Sequence, residues 1–169
     1  MTGPVDNSEP GQSDLTDDAG LASAAASPVE GELPVELPAA TSAQLQRLEV
    51  ARTLLLKVHR ALLEAERVRY EKARGRIDNN SAFLQLIIND PWFDWLRPMA
   101  QMVLLIDERT SDKKSPLGQA EAQSLLDRAR AMLRADPEGD AFQRLYADAL
   151  QHSPSLAVLA RQVATALAG

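Results

Sequence analysis

The chain has 169 residues, 45% of them hydrophobic and 25% charged, with a formal net charge of −6 and no cysteine. That length admits one domain, with or without a tail, and the apolar fraction is that of a globular protein. The absence of cysteine excludes a disulfide framework, a thiol nucleophile and a cysteine-based zinc site, and two histidines, His59 and His152, argue against a multi-histidine metal centre.

Charge is divided unevenly along the chain. Residues 1–40 carry Asp6, Glu9, Asp14, Asp17, Asp18, Glu30, Glu32 and Glu36, with no lysine, arginine or aromatic residue. This stretch is therefore −8, and the remaining 16 acids face all 18 basic residues, leaving +2. It also holds Pro4, Pro10, Pro28, Pro34 and Pro38. So little apolar surface cannot offset an ordering cost of about 1–2 kcal/mol per residue. The expectation is a disordered acidic tail over 1–40 and a folded domain over 41–169. The basic n-region and apolar h-region of a secretory signal are missing, and a mitochondrial presequence would be rich in arginine and poor in acids. The longest strong apolar run, Met102–Ile106, is far short of the ~20 residues that span a bilayer. These features predict a soluble cytoplasmic protein with no membrane contact.

Thr41 or Ser42 is placed to cap a long helix reaching Arg74–Ile77. Leu48, Ala51, Leu55, Val58, Leu62 and Ala65 recur in steps of three and four and form one apolar stripe, widened by Leu45, Leu54 and Val68. At about 1.5 Å per residue the helix is about 50 Å long, enough to be the spine of a bundle or to project and pair with another chain. Gly75 and the polar run Asp78 to Ser81 end it. A second helix is predicted over Ser81–Asn89, with Leu84, Ile87 and Ile88 inward.

Asp90 before Pro91, Asp136 before Pro137 and Ser153 before Pro154 each set a capping side chain ahead of a proline at the first helical position; Ser115 before Pro116 is a weaker case. After Pro98, one face holds Met99, Met102, Val103 and Ile106. After Pro116 it holds Ala122, Leu125, Leu126, Ala129, Met132 and Leu133. After Pro137 it holds Phe142, Leu145, Tyr146, Ala149 and Leu150, and after Pro154, Leu156, Leu159, Ala160, Val163 and Leu167. Residues 110–115 read as a polar, mobile loop. No segment alternates with period two, so the fold class is all-α: a bundle of five or six helices.

The segment from Asn89 to Pro98 contains Trp92, Phe93 and Trp95, three of the seven aromatics in the chain. On one helical turn these rings cannot all point the same way. Pro98 pushes Trp95–Arg97 toward distorted geometry, and Asp94 is positioned to pair with Arg97. One reading is a packing elbow between two helices with Asp90 as its cap. The other is a partner-binding hot spot, since Trp and Arg dominate such patches.

Lys57, Arg60, Arg67, Arg69, Lys72, Arg74 and Arg76 make the second half of the long helix basic, but Glu64 and Glu71 interleave. The mixed-sign ridge reads as a solvated face with weak ion pairs of a few tenths of a kcal/mol, about 0.2–0.5 each. Nucleic-acid contact is the less favoured reading, because Tyr70 is the only stacking aromatic on that face. The acidic tail has the charge to fold back over this helix and screen it.

His59 and Glu66 share a helix face, and Glu66 and Tyr70 stand at i and i+4. They suggest a polar network at a helix interface or a proton-transfer pair, with an ordinary semi-buried histidine as the plainer alternative. The sequence has no metalloprotease, di-iron, calcium-loop or phosphate-loop motif. No cofactor, metal or catalytic residue is expected.

The runs Arg60 to Glu71, Asp90 to Pro98 and Ile106 to Glu108 together resemble a family of small bacterial proteins without an assigned activity. In that family a phrase of the form Asp-Pro-x-Phe-x-Trp-Leu-Arg-Pro, followed later by Asp-Glu, comes after a long charged helix. The resemblance covers roughly residues 45–165. It implies a bacterial, cytoplasmic, all-helical domain and points to Trp95, Leu96, Arg97 and Pro98.

Two functions follow as expectations. The first is a non-catalytic protein-interaction or regulatory module, binding a protein partner or itself through the long helix and the elbow. The second is a ligand-binding or enzymatic bundle with a pocket lined by His59, Glu66, Tyr70, Trp92 and Arg97. The candidate set is Trp92, Phe93, Trp95, Arg97, Asp90, Tyr70, Glu66, Arg67 and His59.

Overall fold

The computed structural model describes residues 38–168. The acidic tail read over 1–40 lies outside the described residues except for its last three positions. Those three residues join the fold. The Pro38 carbonyl accepts from Gln119 N–H at 2.9 Å, and Ala40 N–H donates to the Leu117 carbonyl at 2.7 Å.

Six α-helices and one 3₁₀ turn follow: α1 (Ser42–Arg74), α2 (Asn80–Asn89), the 3₁₀ turn (Pro91–Leu96), α3 (Arg97–Ser111), α4 (Gln119–Met132), α5 (Ala141–His152) and α6 (Pro154–Ala168). Among the described residues the only β pairing is the isolated bridge between Ala39 and Gly118. The fold is all-α.

Helix α1 starts on a capping box. Gln44 N–H donates to Thr41 Oγ1 at 3.2 Å, and Thr41 N–H donates to Gln44 Oε1 at 3.0 Å. Its stripe Leu48, Ala51, Leu55, Val58 and Leu62 is buried. α3, α4, α5, α6 and the 3₁₀ turn all pack on α1, which makes it the spine. The next buried position of the stripe is Glu66, not Ala65. Leu45 and Val68, expected to widen the stripe, are exposed. Gly75 closes the helix at φ 101°, a conformation that L side chains rarely adopt.

The inward face predicted for α2 needs correction. None of its residues is fully buried, and Leu84 and Ile88 are 53% and 55% exposed. α2 packs on the 3₁₀ turn through Phe83, whose ring meets Phe93 edge-on at 5.7 Å, and among the described residues nothing covers Leu84 and Ile88.

Two proline-marked starts also fall elsewhere. Residues 137–139 form a turn, and α5 begins at Ala141 on an Asp140–Gln143 capping box, which satisfies two backbone donors where Pro137 offers only a preset φ. α4 begins at Gln119, because Leu117 is drawn into the core and its carbonyl pairs with Ala40.

The loop read as mobile is fastened. Arg109 donates to both Glu121 oxygens, at 2.6 and 2.9 Å, and reaches Asp112 at 3.3 Å. Asp112 in turn accepts from the N–H groups of Lys114 and Ser115. The inward sets predicted for α3 and α6 are buried as read, apart from Leu159, which is half-buried. In α5, Leu145 is exposed and Ala147 is buried instead.

Candidate functional site

The elbow is organised by Asp90. Its Oδ1 accepts from Trp92 N–H at 2.9 Å and caps the 3₁₀ turn, with Pro91 in the first position. Its Oδ2 accepts from the Tyr70 hydroxyl at 3.1 Å, which ties the turn to α1. Pro98 sits in the first turn of α3, where no helical N–H is required of it. The chain there tightens to 3₁₀ geometry through Leu96, and Arg97 is already α-helical.

The three rings diverge. Phe93 is buried in the core, while Trp92 and Trp95 are half-buried. Trp92 turns toward α1 and meets Tyr70 edge-on, with centroids 5.6 Å apart. Tyr70 also lies 5.6 Å from Phe93. Trp95 turns toward α5, 5.7 Å from Phe142, which stacks on Tyr146 at 5.8 Å. Such pairs contribute about 0.5–1.5 kcal/mol each beyond their buried area.

Beneath the rings lies Glu66, 2% exposed and the one buried charged residue among those described. Its Oε2 accepts from Trp92 Nε1–H at 2.8 Å, and its Oε1 from Arg69 at 2.8 Å. The same Arg69 nitrogen is 3.2 Å from Asp148 on α5. Asp148 is 3.4 Å from His152 Nδ1. A chain of polar contacts thus joins α1, the 3₁₀ turn and α5. Both Glu66 oxygens are engaged, so the carboxylate fastens the 3₁₀ turn and Arg69 to one another.

Structure therefore brings Glu66, Tyr70, Asp90, Trp92 and Phe93 together, but onto one another. It does not gather the other candidates with them. His59 has no hydrogen-bond partner among the described residues. It lines a shallow groove of about 370 Å³ between α2 and α3, together with Ile87, Ile88, Phe93, Arg97 and Ala100. Burial holds its imidazole below the usual histidine value. Arg97 is exposed and pairs with Asp94 at 2.6 Å, as its spacing implied. Arg67 lies 5.0 Å over the Phe83 ring and 3.4 Å from Glu71, and Glu71 accepts from Ile77 N–H at 3.2 Å. That part of the mixed-sign ridge, read as a solvated face, thus fastens α2 and the chain beyond Gly75.

Arg69, Asp148 and His152 were not among the sequence candidates. The signals available were the i,i+3 spacing of Glu66 and Arg69 and the i,i+4 spacing of Asp148 and His152. Tyr146 is fully buried, its hydroxyl has no partner among the described residues, and burial pushes its phenol up to about 12. Burial, and then the Asp90 carboxylate, also hold the Tyr70 phenol above its usual value.

A larger groove of about 570 Å³ opens among α3, α4 and α5. Met102, Leu105, Met132 and Phe142 give it an apolar lining, and Gln101, Arg128 and Asp140 add polar groups. Among the described residues, no three His, Asp or Glu side chains are grouped so as to hold a metal ion. No helix among them is long and apolar enough to cross a membrane.

No family model matches the chain, and neither a curated protein nor a solved structure is detectably similar to it. The fold and site together define a six-helix bundle whose elbow is closed by a buried carboxylate.

Proposed function

We propose that this domain is a non-catalytic protein-interaction module. The observation that carries the reading is a separation of roles at the elbow. The polar groups Glu66, Tyr70, Asp90 and the Trp92 indole satisfy one another in the interior. On the surface, Leu84 and Ile88 of α2 and Leu104 of α3 hold their side chains in water, Leu104 at 66% exposure. Convergent polar groups facing a cavity favour chemistry; exposed aliphatic side chains beside a groove favour a partner.

Affinity capture from the native lysate tests the reading, with the full chain and a Leu84→Glu, Ile88→Glu, Leu104→Glu variant as baits. The expected result is stoichiometric recovery of a protein, a second copy included, by the wild type and its loss in the variant at unchanged circular dichroism. Equal recovery by both baits, or association with nothing, overturns it.

A second reading, a small-ligand site, is favoured by the groove among α3, α4 and α5, whose two methionines adapt to varied apolar shapes. A ligand there would change the fluorescence of Trp95, which contacts Phe142 in the groove wall. Titration of apolar compounds that leaves the emission unmoved counts against this reading.

A further inference from the structure

The outward side of α3 has a pattern that selects a partner. Arg97, Leu104 and Glu108 fall on one stripe at helical spacing and are all exposed, opposite the buried set Met99, Met102, Val103 and Ile106. Ala100, half-buried, borders that stripe and forms a low point in the groove between α2 and α3. The stripe begins with a cation and ends with an anion. Glu108 makes no ion pair among the described residues, and it sits in the last turn of α3, where the helix dipole disfavours a negative charge.

Such a stripe is complementary to itself in one orientation. Laid parallel, two copies of α3 bring like charges together. Laid antiparallel about a two-fold axis at the level of Met102, they set Ala100 of one against Leu104 of the other, because the two residues are equally far from that level. The same arrangement brings Arg97 near Glu108, about 16 Å along each helix, at opposite ends of the contact. Leu104, the most exposed large apolar side chain among the described residues, then covers the other copy's small residue beside Ile87 and Ile88.

We infer that the partner seated on this face is a second copy of the chain, in an isologous dimer built on antiparallel α3 helices. This rests on the interaction reading above and names its partner. Each Leu104 fills the groove of the other protomer, and each Arg97, held at 2.6 Å by Asp94, keeps free donors for the facing Glu108.

Sedimentation equilibrium of the full chain, from micromolar to millimolar, tests it. The wild type is expected to dimerise reversibly. Leu104→Glu is expected to be monomeric, and because that side chain stands in solvent, circular dichroism and thermal midpoint should hold. Arg97→Glu and Glu108→Arg should each weaken the dimer by about tenfold, which is 1.4 kcal/mol, and combining them should restore it. A wild type that stays monomeric throughout overturns the inference. So does a dimer indifferent to Leu104→Glu, or a charge exchange without rescue. If that monomer still captures another protein through the same face, only the self-association falls and the interaction reading stands.

Discussion

The indole N–H of Trp92 donates to the Glu66 carboxylate at 2.8 Å across 26 residues of sequence. Glu66 stands where the apolar stripe of α1 would place its next core residue, so the helix buries a charge in its hydrophobic register. A buried carboxylate is tolerable only when its lone pairs are occupied, and Trp92 and Arg69 occupy one oxygen each. The elbow is thereby tied to the spine twice, here and through the Tyr70–Asp90 hydrogen bond.

Trp92→Phe leaves one Glu66 oxygen without a donor and should cost about 1–3 kcal/mol of stability. Glu66→Ala costs a similar amount, since Arg69 retains Asp148. Urea unfolding followed by circular dichroism, with the double variant, gives the coupling. A value of about 0.5–3 kcal/mol is expected, and additivity of the two losses would show that the residues are not in contact.

The unpartnered hydroxyl of Tyr146 makes the opposite prediction. Tyr146→Phe should leave stability unchanged or raise it by up to about 2 kcal/mol, because it removes a buried polar atom with no hydrogen bond. The phenol is raised to about 12 in the fold from 10.0, so its contribution is complete below pH 10 and is lost as pH rises toward 12. The variant should therefore lose less stability over that alkaline window, while Tyr70 retains its own share. A clear drop in the urea midpoint at neutral pH would show that the hydroxyl has a partner after all.

His59 governs the acid side. Its folded value lies below 6.5, so the neutral ring costs nothing above that pH. As pH falls through 6.5 the unfolded chain takes up a proton that the folded chain resists, and stability declines toward the folded value. His59→Leu keeps a bulky side chain beside Ile87 and Ile88 and should flatten that decline. Urea midpoints measured from neutral into acid pH should converge less steeply for the variant; parallel slopes would count against burial as the cause.

Gly75 offers a test of backbone strain without packing. Nothing lies within 4 Å of a Cβ built there, so the space is open, yet φ is 101° and ψ 166°. Gly75→Ala should cost about 1–3 kcal/mol purely through conformation. Thermal denaturation reads the loss, and Ser81→Ala, on the exposed face of α2, is the neutral control.

Much of the architecture was legible because it is periodic. Met99, Met102, Val103 and Ile106 repeat at helical spacing between a proline start and a polar end, and only one face of α3 can be buried. The same holds for the stripe of α1 as far as Leu62 and for Leu156, Ala160, Val163 and Leu167 of α6. The Asp94–Arg97 pair was legible because both residues lie on one turn. α2 was misread for a related reason: Leu84 and Ile88 form an apolar face, but whether such a face is covered depends on a neighbour supplied from elsewhere in the chain.

The amino-acid sequence by itself determined the helical class, the capping residues Thr41, Asp90 and Ser153, and the diverging rings of the elbow. These are local matters of spacing, φ and hydrogen-bonding capacity over three or four residues. Only the tertiary structure decided that Glu66 meets Trp92, that Arg69 reaches Asp148, and that His59 and Arg97 face a groove away from both. Those contacts join residues tens of positions apart, and a side chain's partners there follow from how helices cross α1. The spacing of Glu66 and His59 put them on one helix face; the packing of α2, the 3₁₀ turn and α3 over that face sent one to the interior and the other to the groove.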